Sequence, residues 1–180
     1  MKDMGFNKLP RLQSIIIAIL SLTTIAAVSV SIWALFFRQP DDLIPPDYAP
    51  IEIDPNQKPI EGDNGDKMEV EDGGGAVSLT YSNEVSIDLS DCKAELHFGN
   101  PGKSTQDMLV QIVIRDQVIV QSGRLTPGNE VTNLNLQESA VRKLSVGTYE
   151  GKFVISYYNP ETREKAIVNT EIPIRITVQE

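Results

Sequence analysis

The chain has 180 residues, a formal net charge of −9 and 41% hydrophobic content, which suits one globular domain with appendages. That acidity repels phosphate backbones and argues against nucleic acid as a partner. A single cysteine and a single histidine leave no material for a disulfide framework or a zinc cluster.

Residues 1–14 are too short to fold and read as a cytoplasmic tail. Residues 15–37, IIIAILSLTTIAAVSVSIWALFF, carry no charge, and a helix of that length spans a hydrocarbon core of about 30 Å. A cleavable signal peptide is the competing reading, with Ser29 and Ser31 posing as its small-x-small site. Its apolar core would be only about 7–15 residues long, whereas here the hydrophobic run continues to Phe37, so an uncleaved single-pass anchor is expected. Lys2, Lys8 and Arg11 precede the span, whereas only Arg38 follows it closely, with Asp41 and Asp42 just beyond. The positive-inside rule then keeps the N-terminus in the cytoplasm and places everything after Phe37 outside. Trp33, Phe36 and Phe37 are expected at the outer interface. Thr23, Ala27 and Ser31 recur every four residues as a small-residue seam, which either faces lipid or admits another helix.

Residues 38–75 hold most of the acidity. Between Gln39 and Gly75 eleven acids meet Lys58 and Lys67, a balance of −9 that accounts for the charge of the whole chain. Six prolines interrupt the stretch before it closes in EDGGGA. Such composition predicts an extended, solvated, disordered linker. DNGDKMEVED does not satisfy the calcium-loop register counted from Asp63 or Asp66, so an acidic spacer is the better reading.

From residue 76 to 180 short strands and turns alternate: VSLTY, EVSIDL, CKAELHF, MLVQIVI, VIVQS, VTNLNL, YEGKFVISYY, KAIVNT and IPIRITVQ. Spacing of about 8–12 residues indicates an all-β sandwich or barrel, and about 105 residues is the size of an immunoglobulin-like β-sandwich. Alternation assigns the core to Val85, Ile87 and Leu89, to Ala94, Leu96 and Phe98, to Met108, Val110, Ile112 and Ile114, to Tyr149, Phe153, Ile155 and Tyr157, and to Ile172, Ile174, Ile176 and Val178. Cys92 shares the parity of Ala94 and reads as a buried thiol. LSVGTY, with Leu144, Gly147 and Tyr149, has the form of a tyrosine corner. Gly151 stands where antibody-type domains carry their second cysteine.

GNPGKST, residues 99–105, ends like a nucleotide-binding P-loop, but His97 occupies the place of its first glycine and an alternating segment follows where a helix is needed. A Pro-Gly turn with Lys103 and Ser104 solvated accounts for the same letters, and no nucleotide or other cofactor is expected. His97 falls on an outward parity, and the pair Asp88 and Asp91 lacks the marked cleft of a glycosidase. No enzymatic activity is therefore expected. Interaction is assigned to the turns at 100–105 and 125–129, with Asn100, Lys103, Ser104, Thr105, Thr126 and Asn129 as candidates.

The segments GGGAVSLTYS, NPGKS, SGRLTPG, YEGKF, YYNPET and NTEIPIRITV together resemble a group of small membrane-anchored or secreted proteins of Gram-positive gut bacteria. The resemblance covers most of the region after the linker and implies a compartment and an immunoglobulin-like fold, with no chemistry attached. The role that follows is a non-catalytic accessory module docking an exported protein or envelope component. An envelope sensor coupled through the helix seam and a carbohydrate-binding module are the alternatives.

Overall fold

A computed structural model describes residues 11–37 and 45–180. The chain divides into two compact units, Met1–Pro40 and Asp41–Glu180. In the first, α1 runs Arg11–Phe37, and its stretch Gln13–Ser31 is long and apolar enough to cross a membrane by length and composition. The hydroxyls of Thr23 and Thr24 donate to the Leu20 carbonyl at 2.9 and 2.8 Å, and that of Ser31 donates to Ala27 at 2.9 Å. The seam hydroxyls are thus engaged by their own helix. The tail and charged flanks at 1–10 and 38–44, and the side chains of Trp33, Phe36 and Phe37, lie outside the described residues.

The second unit is built on one long sheet. Its strands are β1 (Lys58–Pro59), β2 (Thr80–Tyr81), β3 (Glu84–Asp88), β4 (Lys93–Asn100), β5 (Asp107–Ile114), β6 (Gln117–Gln121), β7 (Asn129–Asn135), β8 (Gly147–Tyr158) and β9 (Lys165–Gln179), with a short helix α2 (Glu138–Val141) before β8. The order is β1-β7-β4-β3-β9-β8-β5-β6, with β2 paired to β4. All pairs are antiparallel except β3 with β9, which joins the start and end of the body in parallel. Leu136, just after β7, bridges Val120 of β6, and the Gln137 N–H donates to Ile119 at 2.9 Å. The sheet therefore curls until its two ends meet.

Alternation explains the interior. Val85, Ile87, Ala94, Leu96, Phe98, Met108, Val110, Ile112, Phe153, Ile155, Ile174, Ile176 and Val178 pack in one core inside the curl. Phe98 and Phe153 meet edge to face at 5.6 Å between ring centroids. Each large aliphatic or aromatic side chain so buried contributes about 1.5–3 kcal/mol, a sum large enough to fold the unit without a disulfide.

Four sequence expectations need correction. KAIVNT and IPIRITVQ form the single strand β9, because Pro173 lies where β3 no longer pairs and its missing N–H faces an open edge. Of VSLTY, only Thr80 and Tyr81 are strand. Cys92 is exposed: its φ of 53° places it in the turn between β3 and β4, outside the strand's alternation. The largest correction concerns the linker. Residues 45–75, though mostly exposed, are not a free coil. They make a strap bonded along the body, as described next.

Candidate functional site

The strap begins at the β8–β9 hairpin. Tyr158, fully buried, donates its hydroxyl to the Pro46 carbonyl at 2.9 Å. Asp47 accepts from the Lys165 N–H and Ala49 donates to Arg163, at 2.9 and 2.8 Å. Ala49, Leu109 and Tyr158 pack together, and Val113 packs with Val118 and Val154, so β5 is buried on both faces. Burial and the charge of Asp47 push the Tyr158 phenol up to about 12.

Further on, Asp54 is the strap's main clasp. Its N–H donates to the Arg124 carbonyl at 3.0 Å. Its carboxylate accepts from the Gly123 N–H at 2.7 Å and from the Asn56 N–H at 2.8 Å. The chain after β6 is shaped to receive it. Ser122 takes a backbone-like role, its hydroxyl oxygen accepting from the Val110 N–H at 2.9 Å. Gly123 lets the strap come close, since a Cβ there would stand 2.8 Å from the Asp54 Cα. Beside this clasp the guanidinium of Arg124 pairs with buried Asp107 at 3.2 Å. Burial still raises the Asp107 pKa, with Arg124 opposing the shift.

The strap then crosses both turns assigned to interaction, and the fold brings those turns together: the Gly128 N–H donates to the Asn100 carbonyl at 2.7 Å. Lys58 and Pro59 pair with Glu130 and Asn129, the Gln57 side chain accepts from the Thr126 N–H at 3.3 Å, and Ile60 donates to Gly128 at 2.9 Å. Asp63 accepts from the Gly102 and Gly65 N–H groups, and these two bonds lower its pKa. Lys67 donates to the Ser104 carbonyl at 2.7 Å, and Met68 donates to Lys103 at 2.9 Å.

The candidate residues are accordingly spent on the chain itself. Asn100 is fully buried, donating to Gln106 and Leu125 at 3.0 and 3.1 Å. Ser104, expected in solvent, is fully buried and exchanges hydrogen bonds with the Ser78 backbone. Thr105 does the same with Ala76. The Asn129 amide donates to the Thr126 hydroxyl at 3.0 Å. Of the six, only Lys103 is exposed. The turn is followed directly by β5, a strand, so no helix N-terminus faces it. At the other end of the body the Tyr149 hydroxyl donates to the Ser145 carbonyl at 2.8 Å, Gly147 opens β8 and Leu144 packs on the core.

His97 lies 3.6 Å from Glu130, which Lys58 also contacts at 3.3 Å. No cluster of three or more metal-ligating side chains occurs among the described residues. Chemically, this end of the body is a hydrogen-bonded network turned inward on the chain, in which the Asn100 Oδ1 and the Arg124 Nε are buried without a partner among the described residues.

No protein-family model matches the chain, and no curated protein sequence does. Among solved structures it is similar to AggA, the major subunit of aggregative adherence fimbriae type I from Escherichia coli. That likeness has 14% identity over 59% of this chain and 96% of that one, at a TM-score of 0.28.

Proposed function

We propose that this chain is a single-pass membrane protein, with its N-terminus in the cytoplasm. Its β unit would work outside the cell as a non-catalytic accessory module that docks an exported protein or envelope component. The observation that carries the reading is the joining of a long uncharged helix to a rigid β unit whose buried polar groups serve to hold the strap and turns. An exposed apolar helix has no favourable place in water, and a bilayer removes that cost.

We also read the curled sheet as an immunoglobulin-like sandwich. The layers would be β1-β7-β4-β3 and β9-β8-β5-β6, and supporting this are the parallel pairing of first and last body strands and the Tyr149 corner. Because the strap occupies the turns, docking is assigned to the exposed Lys103 side of that end.

Cys92 makes a native reporter, being the chain's one cysteine and exposed. A membrane-impermeant maleimide should label it in intact cells, with Cys92→Ser as control. Labelling only after permeabilisation would place the unit inside and end the proposal.

A further inference from the structure

β9 has a bare edge. Along the side away from β8, the Arg175 N–H donates to Asn83 at one end and the Lys165 N–H donates to Asp47 at the other. β3 pairs only with Arg175–Gln179, and among the described residues no strand pairs with 166–174 on that side. Successive strand residues alternate direction, and the irregularity opposite Tyr157 steps the register by two residues, from Ser156↔Asn169 to Tyr158↔Lys165, so the alternation is kept. Ile167, Asn169 and Glu171 therefore aim N–H and C=O outward. The side chains around them are apolar and uncovered: Ile167 is fully exposed and Val168 is 66% exposed. Alongside lies a groove of about 330 Å³, lined in part by Gly73, Gly74, Gly75, Val77, Tyr157 and Val168; its glycine wall presents no side chain to an incoming strand.

We propose that this edge pairs with the same edge of a second copy, antiparallel about a two-fold axis through Asn169. The ends of the gap choose that register. The Lys165 N–H is already given to Asp47, and Pro173 has none, so a usable ladder must stay between them. Centring on Asn169 sets Asn169 against its counterpart and Ile167 against the second copy's Glu171. A shift toward either end sets Lys165 or Pro173 against a group it cannot bond. The same register lays Val168 against Thr170 and Ala166 against Ile172, covering apolar surface. It also brings Lys165 diagonally beside the second copy's Glu171, whereas a parallel pairing would set like charges together. The interface is isologous, the usual form for a symmetric dimer.

The alternative occupant is the chain's own segment 38–44. Continued from Tyr48↔Glu164, its register would set Leu43 opposite Asn169 but Asp41 opposite Glu171, with Pro45 lacking the N–H that Ile167 needs. Charge and hydrogen bonding both favour the second copy.

The test uses the full chain in lipid vesicles, with Cys92→Ser as background. Opposed residues of a hydrogen-bonded pair have Cα atoms about 5.5 Å apart, within disulfide range. Asn169→Cys should therefore form a covalent dimer on mild oxidation. Glu171→Cys alone should not, since its counterpart lies about 13 Å along the strand, yet Glu171→Cys mixed with Ile167→Cys should crosslink. Asn169→Pro removes only an outward N–H, so it should leave the thermal melt unchanged and weaken self-association about tenfold or more in sedimentation. A chain that stays monomeric without crosslinks, a Glu171→Cys dimer as strong as that of Asn169→Cys, or an intrachain disulfide between Leu43→Cys and Asn169→Cys would each overturn the proposal.

Discussion

Replacing Asp54 with Ala should loosen the strap without unfolding the body. The carboxylate is 3% exposed and accepts from Gly123 and Asn56. Asn56 is partly exposed and regains a water; the Gly123 N–H lies under the strap and does not. A hydrogen bond to a charged acceptor is worth about 1.5–3 kcal/mol, so a loss near 2 kcal/mol is expected, and by the same arithmetic a rise of roughly 30-fold in strap opening. Amide hydrogen exchange reads this directly. Protection of the Ile60 N–H, which donates to Gly128 at 2.9 Å, should fall by that factor, while core amides such as Ile155 in β8 keep theirs. Unchanged protection at Ile60 would show that Asp54 is not the clasp. An equal fall at Ile155 would show that strap and body open only together, and the idea of a separable strap would be refuted.

Gly123→Ala pushes a Cβ to 2.8 Å from the Asp54 Cα, so it should open the same contact; combined with Asp54→Ala the two losses should be markedly less than additive in thermal melts. Tyr158, pushed up to about 12, binds its proton more tightly folded than unfolded, so stability from this group is full below pH 10 and lost as pH rises through about 12; ultraviolet titration should show a late phenol step that Tyr158→Phe removes. The raised pKa of Asp107 has the matching sign: its contribution is largest below the ordinary carboxylate value and falls as pH rises through the raised one, and chemical denaturation across acid pH should show Asp107→Asn flattening that slope. Tyr149→Phe removes the bond to Ser145 and should cost about 1 kcal/mol in equilibrium unfolding, since the site is partly open to water.

The strands and their buried faces were legible because period-two alternation is a local signal. Val85 and Ile87, or Ile174, Ile176 and Val178, need only their own neighbours in sequence to declare an inside. Two kinds of residue escaped that logic. Cys92 sits one position outside β4, where a positive φ breaks the parity. Leu109 of β5 carries the outward parity yet is fully buried, because a segment sixty residues earlier, the strap, packs Ala49 against it. Alternation predicts which side of a strand meets the core; it is silent about a second layer contributed by distant chain.

The strap escapes a composition-based reading for a physical reason that generalises. Proline and acid lower hydrophobic burial, and a segment of that kind is ordinarily solvated. Yet proline also removes backbone donors that an extended segment would otherwise leave unpaired, and a short carboxylate is a good acceptor for backbone N–H groups of a neighbouring turn. Asp54 and Asp63 act this way on Gly123 and Gly102. The legible trace was in the acceptors' partners. Gly99, Gly102 and Gly123 are the positions where a Cβ would press on Ile60, Asp63 or Asp54 at 3.2, 2.7 and 2.8 Å. Glycines in turns read most simply as punctuation, whereas here they record the close passage of another part of the chain. Among the described residues the same strap bonds the Lys165 N–H of β9 through Asp47, so the segment that covers the assigned turns further along also sets one boundary of the bare edge.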